Sequence, residues 1–505
     1  MEKKGMVYLI GAGPGDPGLF TLKGKRVLEK AEVVVYDRLV GDEILSMANP
    51  DAEFIYVGKA SSRHALSQDE INVLLAEKAA QGKIVARLKG GDPFLFGRGG
   101  EEALYLKERG HRFEVIPGIT SAIAVPAYAG IPVTHRDATS SLAIITGHEK
   151  PGKQESSIHW RELASGIGTL VFLMGVENLE FICDNLISHG REPSTPVALI
   201  RWGTLPRQQV LSGTLENIVK RVKESAFQPP AVIVVGEVVK LREELNWLES
   251  QPLWGKRVVI TRARAQASQL LERIRDLGGQ AIEFPSIKIE KEKNLAALHN
   301  AFKNIGQYDW IIFTSINAVD IFFAESRQAG LDIRDLQGIK LGAIGPATRD
   351  KLLARGLRVD VVPEDYRAEG ILKELRERIK PGQWILLPRA RGARSILPDT
   401  LRRWGAHVNE IYLYQAIAAS QVSQATLKNI IAGNMDYLTF TSSSTVSNFV
   451  KIIGAENIAG LKGKVKVACI GPVTADTARE NGFSVDILAQ EYTINGLLEA
   501  ILEDL

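Results

Sequence analysis

The sequence predicts an α/β protein built from several sheet-and-helix lobes, and three observations carry that expectation. Short apolar runs of buried-strand type alternate along the whole chain with amphipathic, helix-like segments. In the first half, those runs end in glycine- and proline-rich loops, at the positions where open α/β sheets place their sites. The second half repeats its own pattern. For 505 residues, a prior of about 150 residues per domain gives roughly three or four such bodies.

Composition narrows the function classes. The chain is 45% hydrophobic and 24% charged, as in an ordinary globular protein, and its net charge is only +3. Neither nucleic acid nor an anionic membrane is expected as a partner, so any anion recognition has to be local. No apolar run approaches the roughly 18 residues of a membrane span. Met1-Glu-Lys-Lys-Gly5 leads straight into a strand instead of a signal peptide, so a cytoplasmic location is expected. Cys183 and Cys469 are the only cysteines and lie in different halves, which reads as two buried thiols and excludes a disulfide framework. The eight histidines show no ligand spacing, and no metal site is expected.

In chain order, the strand Val7–Ile10 delivers Gly11-Ala-Gly-Pro-Gly-Asp-Pro17, and a helix follows from about Thr21 to Ala31. Glycines after a first strand invite a dinucleotide reading, but the spacing is wrong and Pro14 and Pro17 remove N–H donors that a pyrophosphate would use. A proline-stiffened loop suits a ligand without phosphate. A second strand, Val33-Val-Val-Tyr-Asp-Arg38, places Asp37 and Arg38 at its carboxyl end. Asp37 could serve the site, bind a ribose hydroxyl or cap the next helix. Lys59, after the strand Glu53–Val57, is either a site residue or a solvated loop lysine.

The richest loop follows the run Ile84–Leu88. Gly90 and Gly91 let the backbone approach a ligand closely, and Pro93 biases Asp92 towards an extended conformation. A second glycine cluster, Gly97 to Gly100, leads to Glu101 and a predicted helix. Beyond it come the strand Phe113–Ile116, the loop Pro117-Gly-Ile-Thr-Ser121 with an apolar helix, and Thr134-His-Arg-Asp137.

In order and spacing these blocks resemble the tetrapyrrole methylases, and more closely the uroporphyrinogen-III C-methyltransferases. The residues that carry the resemblance are Gly11–Pro17, Val35-Tyr-Asp-Arg-Leu-Val40, Val57-Gly-Lys59, Arg87-Leu-Lys-Gly-Gly-Asp-Pro93, Phe96-Gly-Arg-Gly-Gly-Glu-Glu102, Pro117-Gly-Ile-Thr120 and Thr134-His-Arg136. Val171-Phe-Leu-Met-Gly175 and Arg201-Trp-Gly-Thr204 also match, so the likeness runs without a gap from about Val7 to Leu245. It implies a two-lobed tetrapyrrole-methylase fold and S-adenosyl-L-methionine as cofactor. The implied cofactor contacts are Pro14, Gly90, Gly91, Asp92, Leu95, Thr120, Ser121, Met174 and Gly203, with Asp37 as proton acceptor and Lys59 as proton donor. Uroporphyrinogen III is polyacidic, which makes Arg38, Arg98 and Arg136 candidate clamps by charge-assisted pairing, although each could equally be a surface arginine.

Val232–Val235 is a last apolar strand, Lys240–Glu249 a charged helical stretch, and Ser250-Gln-Pro-Leu-Trp-Gly255 reads as a linker. The expected domains are therefore 1–249 and 256–505, with 250–255 between them. Within the second, Ile260-Thr-Arg-Ala-Arg264 recurs as Leu387-Pro-Arg-Ala-Arg391, Phe313-Thr-Ser-Ile-Asn317 as Phe440-Thr-Ser-Ser-Ser444, and Ala343-Ile-Gly-Pro-Ala-Thr348 as Cys469-Ile-Gly-Pro-Val-Thr474. Each copy alternates strands and helices, so two doubly wound α/β lobes are expected. Serines and threonines in these loops are either N-caps or anion contacts, and the two roles are compatible.

This half resembles the uroporphyrinogen-III synthases, through Thr261-Arg-Ala, Thr314-Ser, Ile344-Gly-Pro-Ala-Thr348, Tyr412-Leu-Tyr-Gln415, Thr441-Ser-Ser and Ile470-Gly-Pro-Val-Thr474. The resemblance implies cofactor-free closure of hydroxymethylbilane, with Thr348, Ser442 and Thr474 against the substrate and Tyr414 as the acid that helps hydroxide leave. It also implies one discontinuous lobe, 256–289 plus 417–505, around a second lobe, 290–416; the repeat alone is equally compatible with a tandem arrangement. Together the halves imply a bifunctional cytoplasmic enzyme, expected to form a homodimer through the methylase half. A methylase of another substrate fused to a non-catalytic tetrapyrrole-binding module is the alternative, and sirohaem or cobalamin as the endpoint stays open.

Overall fold

Strand β1 (Met6–Gly11) is the axis of the first sheet. It pairs in parallel with β4 (Ile84–Lys89) on one side and β5 (Arg112–Ile116) on the other, and β2 (Val33–Tyr36) and β3 (Glu53–Tyr56) continue beyond β4. The order is β3-β2-β4-β1-β5. Alternate residues feed two different cores: Val7, Leu9, Val33, Val35 and Val85 pack on one face, and Ile10, Val34, Ala86 and Leu88 on the other. A sheet covered on both faces explains why β1 and β2 are apolar throughout instead of alternating. The computed structural model describes residues 5–58, 66–148, 157–261, 264–284, 287–418 and 424–505.

A second sheet follows, built from β6 (Leu142–Thr146), β7 (Thr169–Leu173), β8 (Pro196–Arg201), β9 (Gln209–Thr214) and β10 (Ala231–Val235), in the order β6-β7-β10-β8-β9. Only β6 and β7 run parallel; the other neighbours are antiparallel. The helix Ser121–Tyr128, which leaves the first sheet after β5, buries Ala122 and Val125 against Val171, Ala198, Ile200, Val232 and Val234 of the second. It thereby ties the exits of one sheet to the other.

The chain divides into two compact units, Met1–Gly255 and Lys256–Leu505. Residues 250–255 form turns, with Leu253 fully buried. The helical stretch expected at Lys240–Glu249 is a 3-10 segment, Glu237–Leu241, followed by one short α-turn, Arg242–Leu245.

In the second unit, β11 (Arg257–Ile260) and β12 (Gln280–Glu283) join β18 (Tyr437–Phe440), β19 (Lys466–Cys469) and β20 (Ile487–Leu488) in one parallel sheet, ordered β12-β11-β18-β19-β20. Between them in sequence, β13 (Ile287–Lys291), β14 (Trp310–Phe313), β15 (Lys340–Ala343), β16 (Trp384–Ala390) and β17 (His407–Ala418) form another, ordered β13-β17-β16-β14-β15. The lobes are therefore discontinuous and not tandem, because Val258 pairs with Tyr437. β13 lies antiparallel to β17, from Ile287 opposite Ala418 to Lys291 opposite Tyr414. Its backbone bonds place residues 287–289 in the inserted lobe, slightly ahead of the expected boundary. The repeat survives as packing: Phe313 meets Phe322 edge-on at 5.3 Å, and Phe440 meets Phe449 edge-on at 5.5 Å.

Candidate active sites

Three strand exits of the first sheet are pressed together by glycine. Gly91 donates its N–H to the Gly13 carbonyl at 2.7 Å, and Gly13 donates to the Gly91 carbonyl at 3.2 Å. A Cβ on Gly118 would lie 2.3 Å from the Gly91 oxygen, and one on Gly11 would lie 2.5 Å from the Gly118 Cα. Gly91 also needs its φ of +67°. Asp92 organises the loop: it accepts from the N–H groups of Phe94 (2.8 Å), Leu95 (3.1 Å) and Gly118 (3.0 Å).

Several N–H groups of these loops turn inward. Ala12 donates to the Lys89 carbonyl, Asp16 to Thr204 Oγ1, and Gly18 to Asp16 Oδ1, beside the donors already named. A phosphate cradle needs its N–H groups pointing at the ligand. Here several of them are spent on the loops themselves, which suits a cationic, phosphate-free ligand better.

The second sheet adds loops under backbone strain. Met174, at the exit of β7, has φ +59° and is 54% exposed. Trp202 (φ +50°) and Thr204 (φ +68°) flank Gly203, which lies so close to helix Ser121–Tyr128 that a Cβ would sit 2.3 Å from Val125 Cγ1. Non-glycine residues in this region cost of order 1–3 kcal/mol each and cluster at functional loops. Thr120 caps that helix by accepting from Ala122 N–H, with Ser121 as its first residue. Tyr128 donates its hydroxyl to Asp16 at 2.7 Å, which stitches the β1 exit to this sheet; burial, and then this bond, raise the phenol's pKa.

Asp37 stands at the exit of β2, with Oδ1 accepting from Leu39 N–H and Oδ2 3.5 Å from the Arg87 guanidinium. Behind it lies a buried charge cluster. Glu102 Oε1 receives Arg87 Nε at 3.3 Å and Lys89 Nζ at 2.7 Å. Glu102 is 0%, Arg87 3% and Lys89 5% exposed. Burial first, and then the neighbouring Arg87, hold the Lys89 ammonium below its usual pKa, while Glu102 opposes both. Two buried cations and one buried carboxylate leave an excess positive charge, which Asp37 balances.

The candidate clamps are dispersed. Arg38 and Arg136 are exposed, and Arg98 (φ +58°) is held by Glu101 through two bonds of 2.9 and 2.7 Å. Pro14 and Leu95 lie in the stitched loops. Lys59 lies outside the described residues.

In the second unit, Tyr414 is 6% exposed on β17, and its hydroxyl meets Ser315 Oγ at 2.8 Å. Ser315 caps the helix Ile316–Gln328 by accepting from Ala318 N–H. The equivalent cap in the other lobe is Ser442, which accepts from Thr445 N–H. Thr348 and Thr474 are the third residues of equivalent Gly-Pro helices and are only 6% and 5% exposed, so little of either is open to a ligand. Arg389 is 3% exposed and bonds Glu410 and the Arg394 carbonyl.

Comparison with known proteins matches the same two bodies. The family model described as Tetrapyrrole (Corrin/Porphyrin) Methylases matches residues 6–219, and that described as Uroporphyrinogen-III synthase HemD matches residues 268–499. A porphyrin biosynthesis protein HemD of Ruminiclostridium josui is 39% identical over 99% of this chain and 98% of its own length. This chain belongs to the tetrapyrrole methylases in its first unit and to the uroporphyrinogen-III synthases in its second. A uroporphyrinogen-III C-methyltransferase of Bacillus subtilis is 47% identical over 72% of this chain and 74% of its own. An S-adenosyl-L-methionine-dependent uroporphyrinogen III methyltransferase of Methanosarcina barkeri is 54% identical over 48% and 95%.

In the sequence, Arg87 and Lys89 of the methylase unit stand out only as motif letters, and Glu102 carries no role. The signal was available: two cations two residues apart share one face of an otherwise apolar strand and need a buried anion. Ser315 of the synthase unit was grouped with other loop hydroxyls; nothing local to it announces Tyr414, 99 residues away.

Proposed function

We propose that the synthase unit closes hydroxymethylbilane to uroporphyrinogen III, and that the methylase unit methylates this product twice with S-adenosylmethionine to give precorrin-2. The observation that carries the reading is Asp37, held against buried Arg87 beside exits that glycines stitch together. When bound, S-adenosylmethionine supplies an electrophilic methyl group on a sulfonium.

The loops at Gly90–Asp92, Leu95, Thr120, Ser121, Met174, Gly203 and Pro14 hold that cofactor, and their rigidity supplies the alignment that methyl transfer needs. Asp37 takes the proton released from the pyrrole ring system, and Lys59 serves as donor. Arg38, Arg98 and Arg136 pair with the acidic side chains of the substrate, Arg98 by exchanging Glu101 for a substrate carboxylate.

In the synthase unit, Tyr414 gives its proton to the departing hydroxyl. The helix end at Ser315 favours the phenolate left behind, because helix N-termini stabilise negative charge. Ser442 offers a carboxylate contact at its helix start, while the buried Thr348 and Thr474 support the equivalent Gly-Pro helix starts from behind. The reading extends to a cytoplasmic homodimer, which light scattering at twice the 55.3 kDa chain mass would test. Methyl transfer from labelled cofactor to uroporphyrinogen III tests the first unit; no label in the tetrapyrrole would remove the substrate assignment.

A further inference from the structure

The turn that joins β8 to β9 carries an arrangement that neither reading above uses. Arg201 ends β8, and its guanidinium carbon stands 3.8 Å from the Trp202 ring centroid; Arg207 places its own 4.7 Å from the same ring. Among the described residues, neither guanidinium has an ion-pair partner. Arg98, Arg242 and Arg389, by contrast, each face a glutamate. Arg201 Nε is shut off from solvent and has no hydrogen-bond partner. Burial, and then Arg201, lower the Arg207 pKa, and no acid opposes them. The ring faces attract both cations, but each cation repels the other. An anion that accepts from both guanidinium groups would relieve that repulsion.

The turn is rigid. Leu205 donates to the Trp202 carbonyl at 3.2 Å, Gln208 to the Leu205 carbonyl at 2.8 Å, and Gln208 Oε1 accepts from Thr204 N–H at 3.1 Å. Gln208 also donates its side chain to the Tyr128 carbonyl, and Thr204 receives Asp16 N–H. The cluster is thus fixed beside Gly203 and the β1 exit, in a geometry it need not acquire on binding.

We infer that Arg201, Trp202 and Arg207 form a carboxylate-binding subsite of the methylase unit. The inference rests on the proposed function, in which both reactants bring carboxylates: the acidic side chains of the tetrapyrrole and the amino-acid end of the cofactor. Guanidinium forks match that planar anion, and the indole face offers apolar cover.

The test uses the full chain and two non-reacting probes, uroporphyrin III and S-adenosylhomocysteine, titrated against wild type, Arg201→Gln, Arg207→Gln and Arg207→Glu. Arg207 itself is exposed and, among the described residues, makes no bond that holds the turn, so its variants should keep the fold, while Arg201→Gln is checked for it. Arg207→Gln should weaken uroporphyrin III about tenfold, the loss expected for one hydrogen bond to a charged group. Arg207→Glu should weaken it further, and added salt should narrow both gaps. Weakened S-adenosylhomocysteine with unchanged uroporphyrin III would support the subsite and assign it to the cofactor carboxylate. Unchanged affinity for both probes in every variant overturns the inference, as does a wild-type chain that binds neither. A wild type that binds uroporphyrin III but does not methylate uroporphyrinogen III sinks the proposed reaction instead, and the titrations still decide the subsite.

Discussion

Replacing Glu102 by glutamine keeps the side chain's size and removes the one fully buried negative charge that faces Arg87 and Lys89. Neither cation can reach water in exchange, since the three groups are 0%, 3% and 5% exposed. Removing one partner from a buried ion pair costs about 3–5 kcal/mol. Asp37 stays 3.5 Å from Arg87 and offsets part of this, which puts the expectation near the lower end. For a body of 150–250 residues each kcal/mol lowers Tm by about 2–4 °C, so the methylase unit should melt roughly 6–12 °C lower. Lys89 adds a pH signature. Its folded-state pKa already lies below the usual 10.5, and loss of Glu102 depresses it further. A lysine depressed in this way opposes folding while it is protonated, and the opposition fades as pH rises through the folded pKa towards the unfolded one. The deficit of Glu102→Gln should therefore shrink between neutral and alkaline pH, and Lys89→Met in that background should recover part of it. Hydrogen exchange of the β1 and β4 amides reads this unit separately from the other. A deficit below about 1 kcal/mol, or one that grows with pH, would refute the reasoning.

Three further substitutions probe the sites. Asp37→Ala should leave S-adenosylhomocysteine affinity nearly intact and slow single-turnover methylation well over tenfold; an unchanged rate removes Asp37 from the mechanism. Gly118→Ala places a methyl 2.3 Å from the Gly91 carbonyl, so the stitched exits must part, and cofactor affinity should fall at least tenfold, in line with about 1–3 kcal/mol for overpacking. Wild-type affinity there would show that the three exits do not act together. Tyr414→Phe keeps the ring packed but loses the bond to Ser315, and should slow ring closure so that more substrate cyclises spontaneously to the uninverted isomer; a wild-type product ratio rules out its role.

Much of the site was legible because strand exits announce themselves through glycine and proline. The loops at Gly11–Pro17 and Gly90–Asp92 could be placed from residue type alone, and Pro14 and Pro17 already argued against a phosphate ligand. What stayed hidden depends on distant partners. A glutamate in the first turn of a helix is ordinarily read as a favourable charge near the dipole, so Arg87 and Lys89 announce that a buried anion exists, but nothing at Glu102 marks it as that anion. The repeat in the second unit could not choose between tandem and discontinuous lobes, because the pairing of β11 with β18 joins segments far apart in sequence. Thr348 and Thr474 matched their motifs, yet their place at the third helical residue turns them towards the sheet instead of outwards.

The central claim is that one chain makes a polyacidic macrocycle in its synthase unit and methylates it in its methylase unit. Its most direct test is a single incubation of the full chain with hydroxymethylbilane and methyl-labelled S-adenosylmethionine, followed by mass analysis of the tetrapyrrole. The account predicts a cyclised product of the inverted isomer carrying two labelled methyl groups. Unlabelled macrocycle, or only the uninverted isomer that forms without an enzyme, would contradict it.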